Sequence, residues 1–96
     1  MRSPICVAIR SRVLLEFEYD GLRRVVAPYC HGRTRSGEAL RGVQVRGESR
    51  SKGLGFGKLW TVARMRHVHL LQEAFEPSDP DYNPHDSAML DIHCRI

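Results

Sequence analysis

Residues 13–29 read VLLEFEYDGLRRVVAPY, and this stretch decides the fold. Apolar side chains alternate with glutamates over residues 13–19, a period of two that is typical of a strand with one buried face. An Asp-Gly pair follows at residues 20–21 and tolerates the positive φ that a two-residue loop requires. The stretch therefore predicts a β-hairpin whose second strand covers residues 22–29.

The sequence on both sides of this hairpin predicts one helix and four further strands. Ser3 and Pro4 are typical of a helix start, since the serine hydroxyl can cap free amides and proline at the first helical position loses no hydrogen bond. Apolar residues at helical spacing extend this helix over about residues 3–12. Alternating apolar residues between turn-rich segments predict the other strands, over residues 38–46, 59–63, 67–72 and 89–96.

These elements predict a single, mainly β domain over residues 1–96. Five short strands in consecutive hairpins are typical of a small SH3-like or Sm-like barrel, here over about residues 13–75. The acidic C-terminal extension, residues 76–96, adds one extra strand. The side chains that we predict to be buried are Ile5, Ile9, Leu15, Phe17, Val26, Val43, Val62, Val68 and Leu70.

Charge is divided between the middle and the end of the chain. Residues 21–66 carry eleven Arg and Lys against two acids, whereas residues 67–96 carry six acids against one Arg. Thirteen of the fifteen basic residues are Arg, whose planar guanidinium pairs with phosphates and carboxylates. The middle is therefore predicted to bind an anionic partner, although genomic base composition alone can also produce an Arg bias.

The composition argues against several classes of protein. No apolar run approaches the roughly 20 residues that cross a membrane, and the N-terminus lacks a signal-peptide core, so we expect a cytoplasmic protein without membrane contact. The three cysteines, Cys6, Cys30 and Cys94, cannot all pair, and we expect free thiols in a reducing compartment.

Five short motifs in order carry a resemblance to a known family. They are Ala8-Ile9, then LEFEY over 15–19 with Gly21, RVVAP over 24–28, Leu40-Arg41, and LWTV over 59–62 with Arg64-Met65. This succession resembles the WYL domain over about residues 5–75, in the form of a small stand-alone WYL-like protein without a helix-turn-helix segment. Ala39-Leu40-Arg41 stands where the family's Trp-Tyr-Leu triplet is expected. The resemblance implies a barrel of bacterial transcription or phage-defence regulators that binds a nucleotide or nucleic-acid effector.

Arginines on apolar strand faces are the best candidates for a binding site. Arg24 shares its face with Val26, and Arg41 shares its face with Val43, where a charge is costly unless it is paired. The predicted ligand-binding residues are Arg24, Arg41, Gln44, Trp60 and Arg64. Structural ion pairs with Glu16, Glu18 or Glu38 are the alternative for the two strand arginines, and a core position is the alternative for the tryptophan.

Polar loops supply a second group of candidates. The predicted phosphate contacts are Arg33, Arg35, Arg46, Ser49 and Arg50, whose affinity for an anion would fall steeply with salt. An ordinary solvated loop is the alternative.

Two dipeptides suggest a metal site at first sight. Cys30-His31 and His93-Cys94 could supply four ligands, but adjacent strand residues point to opposite faces and the spacing lacks the Cys-x-x-Cys form of structural zinc sites. We therefore predict no metal, no cofactor and no catalytic residue, and we expect that the protein is not an enzyme.

The leading hypothesis is a regulatory, ligand-sensing or accessory module that binds a nucleotide or a short single-stranded nucleic acid. A protein-protein interaction module that uses the basic face and the acidic tail is the alternative, and homodimerisation stays open. A small Cys/His hydrolase is the third hypothesis.

Overall fold

The computed structural model of the chain describes residues 3–47, 58–78 and 82–96. These residues form one helix, one 3-10 turn and six strands. The elements are α1 (Pro4–Ser11), β1 (Val13–Tyr19), β2 (Leu22–Thr34), β3 (Gly37–Gly47), β4 (Lys58–Thr61), the 3-10 turn (Val62–Arg64), β5 (Arg66–Ala74) and β6 (Asp91–Arg95). The prediction of a mainly β protein with one N-terminal helix is confirmed.

The helix α1 begins at Pro4 and ends before Arg12, which adopts a left-handed conformation with φ 55°. The Arg12 amide donates back to the carbonyls of Ala8 and Ile9 and so closes the last turn. Ser3 lies ahead of the helix in an extended conformation, but its hydroxyl makes no cap hydrogen bond, contrary to the expected cap. The helix is held instead by its apolar face, which is buried against the sheet.

The hairpin between β1 and β2 forms as the sequence predicts. Asp20 and Gly21 both have positive φ, 53° and 77°, as a two-residue hairpin loop requires. The resulting register pairs Tyr19 with Leu22 and Phe17 with Arg24. Arg24 therefore lies directly across from an apolar side chain of the core.

All strand pairs are antiparallel, in the order β4-β3-β2-β1-β5. The long strand β2 pairs with β1 through residues 22–26 and with β6 through residues 30–33. Within the described residues this sheet does not close, since β4 and β5 at its ends are not paired with each other. The coarse mainly β prediction holds, whereas the closed five-stranded barrel is not what these strands form.

The C-terminal strand β6 is ordered and paired, as predicted for residues 89–96. The Leu90 amide donates to the Arg33 carbonyl at 2.7 Å, and the Ile96 amide donates to the Tyr29 carbonyl at 2.9 Å. Gly32 permits the close approach, because a Cβ there would collide with the Asp91 carbonyl oxygen. The acidic extension is thus tied to the centre of the sheet.

Core side chains lie on both faces of the sheet. The first core cluster contains the buried residues Ile5, Ala8, Ile9, Leu15, Phe17, Tyr19, Val26, Leu40, Trp60 and Cys94. The second core cluster contains Leu14, Val25, Ala27 and Tyr29, with Phe75 and Tyr82 packed against them. No helix within the described residues is long and apolar enough to span a bilayer.

The predicted core is partly confirmed. Ile5, Ile9, Leu15, Phe17 and Val26 are buried. The valines at 43, 62 and 68 are only half-buried. Leu70 is 39% exposed, so its prediction was wrong. Its strand, β5, is the outermost strand on its side of the sheet, and no further strand of the described residues covers that side chain.

Candidate functional site

Arg24 lies at the centre of a buried group of residues on the face that carries the first core cluster. We call this group the Arg24 cluster: Tyr19, Arg24, Gln44 and Trp60. Arg24 is 3% exposed. Its Nη1 donates to Gln44 Oε1 at 3.3 Å, and its Nη2 donates to the Tyr19 carbonyl oxygen at 3.2 Å. Its guanidinium carbon lies 5.5 Å from the Trp60 ring centre and 5.8 Å from the Tyr19 ring centre.

No acid within residues 3–47, 58–78 and 82–96 balances the positive charge of Arg24. Among the residues that the structure describes, no carboxylate lies within 4.0 Å of its guanidinium. Its buried Nε has no hydrogen-bond partner. Burying a charge without a counter-ion is costly, and the two aromatic rings offset only part of that cost. Within the described residues Arg24 therefore lacks the negatively charged acceptor that a bound anion would supply.

Trp60 forms a wall of the cluster and has no open ring face. The residue is 2% exposed and lies edge-on to Phe17 and Tyr19, with ring centres 5.3 Å and 5.0 Å apart. Its Nε1 donates to the Gly42 carbonyl oxygen at 3.2 Å. These contacts make it a core residue that holds Arg24 in place. They leave no room for a nucleotide base to stack on it.

Two exposed cations stand at the rim of the Arg24 cluster. Lys58 Nζ lies 5.5 Å from the Trp60 ring centre, and the Arg64 guanidinium carbon lies 4.8 Å from the Tyr19 ring centre. Arg64 is also paired with Asp20. It borders a cavity of about 290 Å³ whose lining residues are Glu18, Asp20, Gly21, Ala63, Arg64 and Arg66. Two of the three arginines predicted to bind ligand thus flank the Tyr19 ring: Arg24 is buried and Arg64 is exposed.

Arg41 lies apart from the Arg24 cluster, although the sequence groups the two. Along β3, Gln44 faces the Arg24 cluster, whereas Arg41 forms a two-point ion pair with Asp86, at 2.7 Å from Nε and 3.1 Å from Nη2. The side chain of Asp86 is 8% exposed. Hydrogen bonding to Arg41 holds the pKa of the Asp86 carboxyl below its usual range and raises the pKa of Arg41. An ion pair was the alternative reading, but its partner comes from the acidic extension.

Two of the predicted loop contacts also have carboxylate partners within the chain. Arg33 pairs with Asp91 at 2.6 Å, and Arg46 pairs with Glu73 at 2.7 Å. Arg35 is exposed in the β2–β3 turn, and Ser49 and Arg50 lie outside the described residues. The acidic end of the chain therefore folds back on its basic middle.

The cysteines differ from the expectation of three free thiols. Cys6 of α1 and Cys94 of β6 form a disulfide, with their Cα atoms 5.7 Å apart. Sequence spacing could not reveal this pair, because 88 residues separate its members and only the packing of α1 beside β6 unites them. Cys30 is free and buried. Burial, aided by Asp86, raises the pKa of its thiol, which is the opposite of what a nucleophilic cysteine needs.

His31 lies beside the disulfide, with its Nδ1 3.6 Å from Cys6 Sγ. Its Nε2 is buried without a hydrogen-bond partner, 4.0 Å from Glu38 Oε2. Glu38 in turn contacts His93 Nε2 at 2.9 Å. Burial is the main cause that lowers the pKa of the His31 imidazole, so this ring is held in its neutral form.

No protein-family model, no curated protein and no solved structure matches this chain. The WYL resemblance therefore stays a prediction from the motifs, and the contacts within the chain carry the functional proposal.

Proposed function

We propose that the protein is a regulatory, ligand-sensing module of WYL type that binds a nucleotide or a short single-stranded nucleic acid in the cytoplasm. The motifs that carry the resemblance lie on the helix, the hairpin and the strands β3 and β4, in the order in which the family has them. The observation that carries the proposal is the buried guanidinium of Arg24, which has only neutral oxygen acceptors, and one nitrogen, Nε, without a hydrogen-bond partner, among the described residues.

A phosphate is the ligand group that fits this guanidinium best. A phosphate oxygen that replaces Gln44 Oε1, now 3.3 Å from Arg24 Nη1, would give the guanidinium an anionic acceptor in place of a neutral one. The Gln44 amide has an alternative contact, since its Nε2 already donates to the Arg46 carbonyl oxygen at 3.3 Å. A phosphate can therefore replace the Gln44 side chain as the acceptor for Arg24 without disrupting the sheet.

The rim provides the approach to this position. Arg64 is exposed, and its ion pair with Asp20 is of the solvent-screened kind that contributes roughly 0 to 1 kcal/mol. An incoming phosphate can displace Asp20 at little cost. Lys58, also exposed, adds a second cation on the other side of the aromatic pair. Because Trp60 is closed to stacking, we propose that recognition starts from the phosphates and not from the base.

The same contacts weigh against the two other hypotheses. A partner that bridges the basic face and the acidic tail would have to break the pairs of Arg33, Arg41 and Arg46, which the chain already makes with its own acids. A hydrolase would need a reactive thiolate, whereas Cys6 is bonded to Cys94 and Cys30 is buried with a raised thiol pKa.

Replacing Arg24 by methionine, which is apolar and of similar length, tests whether Arg24 binds a ligand or only stabilises the fold. The probe comes from a thermal-shift screen of nucleotides, cyclic nucleotides and a short oligonucleotide, in which saturation at 100 times Kd stabilises by roughly 2.7 kcal/mol. We expect Arg24→Met to weaken binding by about ten- to a hundredfold, since charged hydrogen bonds contribute roughly 1.5 to 3 kcal/mol. We also expect it to leave the free energy of unfolding unchanged or raised, because the uncompensated buried charge disappears.

Arg10→Met is the matched control, since that arginine is exposed in the last turn of α1 and belongs to neither group of candidate ligand contacts. It should bind within about twofold of the wild type in titration calorimetry at fixed salt. The proposal fails if Arg24→Met binds as tightly as the control, or if no compound of the screen stabilises the wild type. A large loss of stability with unchanged binding would assign Arg24 to the core instead.

A further inference from the structure

Three metal-ligating side chains meet where the two ends of the chain come together. Cys6 comes from α1, His31 from β2 and Cys94 from β6, and their ligand atoms all lie within 4.8 Å of one another. We call this group the Cys-His-Cys cluster. Two of its members, His31 and Cys94, belong to the dipeptides Cys30-His31 and His93-Cys94, whose spacing in the sequence does not by itself indicate a metal site. The third member, Cys6, replaces Cys30, which faces Asp86 and Arg41.

We propose that the Cys-His-Cys cluster, when its disulfide is reduced, binds one zinc ion through Cys6 Sγ, Cys94 Sγ and His31 Nδ1. Two thiolates and one imidazole are a ligand set that zinc prefers, with a fourth tetrahedral position left for water. The inference is independent of the anion site, because the cluster shares no residue with Arg24, Gln44 or the rim.

The distances suit a tetrahedral ion. With zinc bonds of roughly 2.3 Å to sulfur and 2.05 Å to nitrogen, a sulfur and a nitrogen ligand lie about 3.5 Å apart. His31 Nδ1 already lies 3.6 Å from Cys6 Sγ. Only the two sulfurs have to separate, from a covalent bond to the spacing of two ligands. Their backbones, with Cα atoms 5.7 Å apart, stay on elements that pack together in either state.

His31 has the environment of a metal ligand. Its ring is buried, and the Nε2 that does not face the sulfurs lacks a hydrogen-bond partner. Glu38 Oε2 lies 4.0 Å from this Nε2, one small movement away from accepting its proton. A carboxylate on the far nitrogen of a ligating histidine fixes the tautomer and strengthens the ligand. His93 Nε2, 2.9 Å from Glu38, holds this carboxylate close to the His31 ring.

The disulfide form is converted to the zinc-binding form by reduction with a dithiol. A dithiol reductant gives two electrons and two protons to the Cys6–Cys94 bond and is itself oxidised to a disulfide. The two thiols then lose their protons to water as zinc binds, since thiolates are the metal ligands. In a reducing compartment, where protein disulfides are rare, zinc would thus hold α1 to β6 in place of the sulfur-sulfur bond.

The test is metal binding by the reduced, metal-free protein, with Co²⁺ as the spectroscopic probe and Zn²⁺ as the competitor. We expect one Co²⁺ per chain, with the thiolate-to-cobalt charge-transfer absorption and tetrahedral d–d bands, both abolished by Zn²⁺. The oxidised protein should show neither. His31→Ala should lower the Zn²⁺ affinity by about a hundredfold, and Glu38→Gln by about tenfold.

His69→Ala is the matched control, because it removes an exposed imidazole of β5 outside the cluster. It should bind Zn²⁺ like the wild type. Unfolding of each oxidised variant checks that it folds. The proposal is overturned if the reduced wild type shows no charge-transfer absorption, or if His31→Ala and His69→Ala bind Zn²⁺ equally. Nucleotide binding by His31→Ala is measured as well. Unchanged nucleotide binding would show that a failure of zinc binding does not reflect a failure of the anion site.

Discussion

Removing the Cys6–Cys94 disulfide is expected to lower the free energy of unfolding by roughly 4.5 kcal/mol, following the loop-entropy relation for a closed loop of this length. The two cysteines are 88 residues apart, so the bond restrains almost the whole unfolded chain. For a domain of this size that is a large part of the total stability, roughly 5 to 15 kcal/mol. The double variant Cys6→Ser/Cys94→Ser in metal-free buffer should therefore unfold roughly 20 °C or more below the oxidised wild type in calorimetry.

Two controls make this result specific to the bond. Wild type treated with a phosphine reductant and a chelator should unfold at the temperature of the double variant, because it has lost the same restraint. Cys30→Ala should lower the oxidised unfolding temperature far less than the double variant does, since that thiol is free and its removal leaves only a small cavity. Equal unfolding temperatures for the oxidised wild type and the double variant would show that the bond does not restrain the chain in solution.

Local patterns in the sequence predicted most of the secondary structure. The alternation over residues 13–19 and the Asp-Gly pair gave the hairpin, and the predicted β6 is paired at residues 91–95. These features depend on neighbours in the sequence. The closed barrel failed because closure depends on whether the outermost strands meet, which no local period encodes.

The candidate site was predicted in part, for the same reason. The two-residue hairpin already fixes Phe17 opposite Arg24, so the buried position of this arginine could be predicted from the sequence. Tyr19 could have been added, since it shares a face with Phe17 at a spacing of two. Arg41 could not be separated from Arg24 in this way, because its partner Asp86 lies 45 residues further along the chain.

The division of charge between the middle and the end of the chain cannot be interpreted from composition alone. A basic middle and an acidic end are equally compatible with an external anion and with a chain that neutralises itself. The structure shows that the acids at 73, 86 and 91 pair with arginines of the middle. Composition could not predict that a buried arginine, Arg24, has no acid partner among the described residues.

The ion pair between Arg41 and Asp86 leads to the second large effect, a loss of about 3 kcal/mol in Asp86→Asn. Asp86 is 8% exposed, and breaking a buried ion pair by removing one partner costs roughly 3 to 5 kcal/mol. Arg41, whose side chain is 28% exposed, keeps some contact with water, so we expect the lower end of this range. Asparagine retains the oxygen that accepts from the Ala88 amide, so the turn itself should survive.

Asp91→Asn is the matched control, because Asp91 pairs with Arg33 in solvent, with side chains that are 59% and 52% exposed. Surface pairs contribute roughly 0 to 1 kcal/mol, so this variant should unfold almost like the wild type in urea. If both variants lose the same free energy, burial of Asp86 has no energetic consequence and the pair is an ordinary surface contact.

The pH dependence provides an independent check on the charge of Asp86. Hydrogen bonding to Arg41 lowers the pKa of this carboxyl in the folded state, so its stabilising effect is complete above the unfolded pKa, about 3.9. The effect is lost as the pH falls below that value and through the lower folded pKa. The difference in unfolding free energy between wild type and Asp86→Asn should therefore be constant from pH 7 to about pH 5 and shrink below about pH 4. A difference that stays constant down to acid pH would mean that asparagine disturbs packing and that the ion pair contributes nothing.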